Sequence, residues 1–401
     1  MMETLTLTQI QEAYANIRSS IQHTPLNYSG SFSSMTSSEI YLKLENLQKT
    51  GSFKVRGAAN KISKLTLQEK KKGVLASSAG NHAQGVALAA SRGGISATIV
   101  MPAGAPLTKV DATKGYGAKV ILHGNVYDDA YEKAREIQAE SGATFIHPFD
   151  DLDVMAGQGT IGLEIFADLP DVDTVLVPIG GGGLIAGIAV ALKSLKPGVR
   201  VLGVQASEAA SMIAALQHGH PLAIENANTI ADGIAVKRAG NLTFEHIRDW
   251  VDDIVTVTED EISAAILTFL ERAKGISEGA GAVALAAALQ GKVNLAGQKT
   301  VLVMSGGNID VNFLAQIIER GLRTIGRSMV LRTVLPDKPG SLEKLLNLVA
   351  EEQANVVTVE QVRYDLSVPL RYVRVTMTLE TQNYAHQEKL LQRFQAAGYP
   401  Y

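Results

Sequence analysis

Two rhythms of apolar residues alternate along this chain. Short runs at 73–77, 97–101, 120–122, 174–179, 199–204 and 300–304 carry few polar interruptions and read as buried strands. Between them, apolar positions recur at helical spacing, as in 82–91 and 184–195. Strands alternating with helices predict a mostly parallel sheet covered on both faces, an α/β architecture. After about Arg327 the rhythm changes. Met329, Leu331, Thr333 and Leu335 alternate with more variable residues as in a half-buried strand, and Asp337-Lys338-Pro339-Gly340-Ser341 turns into a helix with Leu342, Leu345, Leu346 and Val349 on one face. Strand-like runs at 356–362 and 372–379 and a helix over about 383–397 complete a β-α-β-β-α order.

Composition narrows the classes of function. With 401 residues, 46% of them hydrophobic, the chain has the material for two or three domains and a sizeable core. A net charge of -3 gives no basic surface for nucleic acid. Residues 1–16 carry Glu3 and Glu12 and no long apolar run, so no signal peptide is expected, and no stretch approaches the ~20 apolar residues of a membrane span. The absence of cysteine excludes disulfides and cysteine-ligated iron–sulfur chemistry. A soluble cytoplasmic protein is the expectation.

The candidate chemistry starts at one lysine. In Thr50-Gly51-Ser52-Phe53-Lys54-Val55-Arg56-Gly57-Ala58, Ser52 reads as an N-cap and places Lys54 in the first turn of a helix. There the helix macrodipole disfavours a cation, which suits a neutral amine able to form a Schiff base. Taken alone, this residue reads more readily as an ordinary surface lysine, and the rest of the chain reverses that preference. A four-glycine turn, Gly180-Gly181-Gly182-Gly183, links the run 174–179 to the helix 184–195, and such a turn lets backbone N–H groups close on an anion. The run 300–304 ends in Ser305-Gly306-Gly307-Asn308, placing a hydroxyl at the carboxyl end of a strand, where open α/β sheets bind ligands.

Five phrases, in order, carry a resemblance: Glu45-Asn46-Leu47-Gln48-Lys49-Thr50-Gly51-Ser52-Phe53-Lys54, Ser77-Ser78-Ala79-Gly80-Asn81-His82-Ala83-Gln84-Gly85, Pro178-Ile179-Gly180-Gly181-Gly182-Gly183-Leu184, Glu278-Gly279-Ala280-Gly281-Ala282 and Ser305-Gly306-Gly307-Asn308. Over about residues 20–320 the chain resembles the pyridoxal-phosphate enzymes of the tryptophan synthase β-like class (fold type II), and within it the threonine ammonia-lyases. The resemblance implies a two-lobed catalytic domain at 1–327, with a small lobe at about 45–147 nested in the larger one. Residues 328–401 resemble the ACT domain, a small α+β amino-acid-binding module. The chain stops at Gly398-Tyr399-Pro400-Tyr401, where that fold expects its last strand.

Roles follow from the resemblance. Lys54 is the Schiff-base lysine for pyridoxal 5'-phosphate and the base that removes the Cα proton. Gly180, Gly181, Gly182, Gly183 and Leu184 hold the phosphate, Asn81 meets the ring hydroxyl, Phe53 packs beside the ring, and Ser305 faces the pyridine nitrogen. A neutral hydroxyl at that nitrogen leaves the ring a weaker electron sink than a carboxylate would, which favours expulsion of a β-hydroxyl. The substrate carboxylate is expected on Ser78, Ala79, Gly80, Asn81 and His82, although Ser78 and Asn81 also read as simple N-caps, and His82 reads as a capping or core histidine rather than a base. The activity implied is that of a carbon–nitrogen lyase acting on L-threonine, to 2-oxobutanoate and ammonia, and on L-serine, to pyruvate. A homodimer or homotetramer, an isoleucine or valine effector at the C-terminal module and a place in isoleucine biosynthesis are the further expectations.

Two departures separate relatives. Serine racemases of this class carry a second serine where this chain has Ala79, and acidic ligands for a divalent cation where it has Gln205 and Ser211. Neither racemisation nor a metal is expected, and His218-Gly219-His220 lacks further clustered ligands. The alternatives are an amino-acid β-replacement enzyme, a catalytically inactive amino-acid sensor and, for the C-terminal module, a purely structural dimerisation role.

Overall fold

The computed structural model describes residues 4–400. The chain divides into two compact units between Val311 and Asn312. The helix Val311–Thr324 thus precedes the change of rhythm near Arg327.

The first unit holds two sheets. In the larger, the strands Leu26–Tyr28, Glu39–Lys43, Lys299–Val303, Thr174–Pro178, Arg200–Ala206 and Asp253–Val257 lie side by side in that order. All neighbours are parallel except the first pair. The smaller sheet is wholly parallel, in the order Lys119–Leu122, Ala97–Met101, Val74–Ser77 and Thr144–Phe145. Strands such as Thr174–Pro178 are buried at every position, which explains why they read as continuous apolar runs. Carboxyl ends of strands supply four of the five phrases singled out in the sequence, and the fifth, Glu278 to Ala282, opens the helix Gly279–Leu289. Val74–Ser77 leads through Ser78 to Gly80 into the helix Asn81–Arg92, Thr174–Pro178 leads through the glycine turn into Gly183–Leu195, and Lys299–Val303 leads into Ser305.

The helices Leu152–Asp168 and Gly183–Leu195 cross at Gly159 and Gly187, where a Cβ on Gly187 would overlap the Met155 carbonyl. A buried charge network ties the helix Lys54–Ser63 to this layer. Arg56, fully shielded from solvent, bonds Glu45 at 2.8 Å and Glu164 at 2.7 Å, and Lys43 reaches Glu164 at 2.7 Å. Burial works against the Glu164 carboxylate, but Arg56 and Lys43 outweigh it and hold its pKa below the usual range. Ser52 does not cap this helix. The N-cap position falls on Phe53, and the Ser52 hydroxyl is buried without a partner while its backbone bridges Gly306.

In the second unit the strands Ser328–Pro336, Tyr372–Glu380 and Asn355–Val362 form an antiparallel sheet in that order. The helices Ser341–Glu351 and Tyr384–Ala396 supply Leu345, Val349, Leu390 and Phe394 to a core with Val373, Val375, Met377 and Leu379. No fourth strand forms among the described residues. After Ala397 the chain closes the last helix, with the Tyr399 N–H on the Phe394 carbonyl and the two rings edge to face. Among the described residues no helix is long and apolar enough to cross a membrane.

Removing Arg56 would strand two buried carboxylates. Arg56→Met is expected to cost about 3–5 kcal/mol of stability, read as a lowered denaturant midpoint. An unchanged midpoint would mean that the network contributes only packing.

Candidate active site

The amine at the centre of the site is set by helix geometry. Lys54 opens the helix Lys54–Ser63, and the helix Asn81–Arg92 lies so close that a Cβ on Gly85 would press on the Lys54 main chain. Side chains two apart on a helix face away from each other, so Lys54 and Arg56 meet different surroundings. Arg56 lies among carboxylates. The Lys54 Nζ instead donates to the Pro148 carbonyl at 2.9 Å and lies 5.3 Å from the centre of the Phe53 ring. Burial pushes its pKa down to about 8, against a smaller opposing pull from Glu278.

Pro148 connects the amine to the glycine turn. The ring of the next residue, Phe149, packs on Gly181, where any Cβ would overlap it, and the Phe149 main chain occupies the space a Cβ on Gly183 would need. Gly182 adopts φ 100°, a conformation that disfavours any other residue. The turn is propped from below. The Thr243 hydroxyl donates to the Gly181 carbonyl at 2.6 Å, and Asp150 accepts the N–H groups of Asn241, Leu242 and Thr243. None of the N–H groups of Gly180, Gly181, Gly182, Gly183 and Leu184 donates to another described group. They open a helix of 13 residues, so donors and dipole converge on one place.

Ser305 is bound into the same region. Its carbonyl accepts the Phe53 N–H at 3.2 Å, and its buried hydroxyl has only a long 3.4 Å contact with the Ala280 carbonyl. Asn81 lies at the start of its helix, with Gly80 as N-cap, and bonds Glu278 at 2.7 Å and Asn308 at 2.8 Å. The Ser78 hydroxyl accepts the Gly80 N–H at 3.2 Å and shapes the turn without capping the helix. The His82 side chain turns away into the core. Its ring bonds the Ile146 carbonyl at 2.8 Å, and burial pushes its pKa down to about 3, so it is neutral near pH 7. Only its main chain belongs to the Ser78–His82 turn. His218 and His220 bond the carbonyls of Ala214 and His218, and Gln205 spends its amide on Ala209 and Ile213.

Sequence reasoning missed Pro148, Phe149, Asp150 and Thr243, and it gave no role to Glu278 or Asn308, although both stood in the quoted phrases. Asp150 and Asp151 precede a helix and carry a capping signal, but nothing local indicates that Pro148 faces a lysine 94 positions earlier.

The donor set fits pyridoxal phosphate on grounds internal to the structure. It offers a desolvated amine without a carboxylate bonded to it, a cluster of unsatisfied N–H groups for a phosphate and a weakly engaged buried hydroxyl for a ring nitrogen. Comparisons with known proteins agree. A family model described as pyridoxal-phosphate dependent enzyme matches residues 17–306. An L-threonine ammonia-lyase of Thermotoga maritima is 52% identical over 98% of both chains. A catabolic L-threonine dehydratase of Escherichia coli is 51% identical over 78% of this chain and 95% of its own length. Among solved structures, a threonine deaminase isoform from Solanum lycopersicum superposes with TM-score 0.75 at 39% identity, covering 79% of this chain and 95% of that one. Maize serine racemase gives TM-score 0.76 at 36% identity, over 80% of this chain and 99% of that one. With a family model matched over residues 17–306 and a relative 52% identical along nearly its whole length, the chain belongs to the pyridoxal-phosphate dependent enzyme family.

Proposed function

We propose that this protein is a lyase that converts L-threonine to 2-oxobutanoate and ammonia, and L-serine to pyruvate and ammonia. The observation that carries this reading is the Lys54 amine, held by a main-chain carbonyl beside a glycine turn with free N–H groups. Near-complete coverage by a relative named for that reaction supports it. When bound, pyridoxal phosphate supplies the electron sink that makes the Cα–H bond of an amino acid acidic.

The residues divide the remaining work. Lys54 holds the cofactor and, once an amino acid has taken its place, removes the Cα proton, a task for which a pKa near 8 leaves a substantial neutral fraction at physiological pH. Backbone donors of the Ser78–Asn81 turn receive the substrate carboxylate at the opening of the helix Asn81–Arg92. Ser305 offers the ring nitrogen a neutral partner, favouring loss of the β-hydroxyl. Ala79 offers no proton donor for a racemase's second face.

The C-terminal unit is proposed to be an ACT-like regulatory module sensing isoleucine or valine, which would place the enzyme in isoleucine biosynthesis. A cleft of about 300 Å³ supports this. Leu335 and Val373 line it, and the ion pair Asp337–Arg363 (3.3 Å) presents one charge of each sign to a zwitterion.

Lys54→Ala is expected to lower keto-acid release at least about a thousandfold with the far-ultraviolet dichroism unchanged. Near-native turnover would refute the assignment of the base. Because only the neutral amine attacks an aldehyde, loading of cofactor-free protein should quicken as pH rises, with a midpoint near pH 8 set by Lys54. A midpoint near 10.5, the ordinary lysine value, would show that the amine is not desolvated. Gly340, at φ 83°, shapes the C-terminal cleft, so Gly340→Asp should abolish any response of the rate to isoleucine or valine. A native enzyme indifferent to both would make this unit a scaffold.

A further inference from the structure

The hydrogen bonds around Glu278 have a direction fixed by one backbone carbonyl. Thr50 O only accepts, so the side-chain nitrogen of Asn308 must face it, at 2.6 Å. The other hydrogen of that nitrogen meets Asn81 Oδ1 at 2.8 Å. Asn81 is thereby oriented, because the reversed amide would set nitrogen against nitrogen. Its own Nδ2 donates to Glu278 Oε1 at 2.7 Å, and its second N–H has no partner among the described residues.

Glu278 occupies an N-cap position yet makes no capping bond with its side chain. The carboxyl turns instead toward Asn81 and fills the place that a Cβ on Gly306 would take. Only 4% of the residue is exposed, and among the described residues no lysine or arginine bonds it. The charged groups that act on it are Asp232, which raises its pKa, and Lys109 and Lys54, which lower it; Lys109 is itself paired with Asp232 at 2.6 Å. Burial, reinforced by Asp232, pushes its pKa up to about 8.

We propose that Glu278 is a positioning residue: its buried carboxyl holds the Asn81 amide with one N–H turned into the cleft, toward the place of the phenolic oxygen of a bound cofactor. This rests on the cofactor assignment made above. An ionised carboxylate would accept the same bond, but it would also add negative charge beside that oxygen and favour Lys54 as an ammonium. Neutrality is therefore part of the role.

The test compares full-length Glu278→Gln, Glu278→Asp and Glu278→Ala in two readouts: the dissociation constant for pyridoxal phosphate added to cofactor-free protein, and the visible absorption of the loaded protein from pH 6 to about 9.5. Glutamine, neutral at every pH, should keep the affinity within about twofold of native and abolish any spectral change with a midpoint near 8. Alanine should weaken affinity about tenfold, equivalent to about 1.4 kcal/mol, and shift the band at all pH values. Aspartate, one methylene short of Asn81, should behave like alanine. In an Asn81→Ala background, Glu278→Ala should have no further effect. Unchanged affinity and spectrum in Glu278→Ala would overturn the proposal, as would Glu278→Gln being impaired as much as alanine. Glutamine retaining the fold guards against misreading a collapsed alanine variant. If native protein takes up no cofactor at Lys54, the underlying reading fails as well, whereas normal loading with indifferent variants sinks only the role of Glu278.

Discussion

Two cations stand two residues apart on one helix, and the site depends on their being treated differently. Arg56 receives two carboxylates and serves as a fastening between the helix Lys54–Ser63 and the layer behind it. Lys54 receives a carbonyl dipole and no bonded carboxylate among the described residues. Desolvation without a counter-charge favours the neutral amine, while desolvation with counter-charges favours the ion. Had Glu45 or Glu164 been in reach of Lys54, the same burial would have produced a structural ion pair. The helical spacing that sends the two side chains to opposite faces therefore decides which becomes chemistry and which becomes scaffold.

The same economy of charge runs through the rest of the cleft. The end proposed for the phosphate is built of backbone N–H groups and a helix terminus, with no lysine or arginine contributed by the turn itself. Ser305 presents a hydroxyl, and Glu278 is pushed toward its acid form. On the proposed assignment, a doubly charged phosphate and a substrate carboxylate would be received by backbone dipoles that cannot titrate. Lys54 and Glu278, both pushed to about 8, are the two groups of the cleft poised to titrate there. Buried dipoles cost little when satisfied and hold their orientation when packed, which is why Phe149 and Thr243 press on the glycine turn from two sides.

What could be read from residue order was whatever repeats locally. The strand 97–101 coincides with the observed Ala97–Met101, and the alternation of Val373, Val375, Met377 and Leu379 marks the inward face of Tyr372–Glu380. These signals are local because a strand's burial pattern is written in its own side chains. Ser52 was misread for the opposite reason. Its capping potential is local, but its backbone is claimed by Gly306, more than two hundred residues away, and the helix begins after it. Element ends shift by a residue or two in the same way, as at Lys299–Val303, since terminal pairing belongs to the neighbouring strand.

The sequence by itself determined the α/β layering, the lysine, the glycine turn, the serine at a strand end and the family, because motif order and hydrophobic period are properties of the chain. Only the tertiary structure decided that Pro148 receives the lysine, that the His82 ring is core rather than a cap, that the network from Thr50 through Asn308 and Asn81 ends on a shielded Glu278, and that the last residues close a helix. Dielectric surroundings and bond direction arise from groups brought together across long separations, and no stretch of sequence carries that information alone.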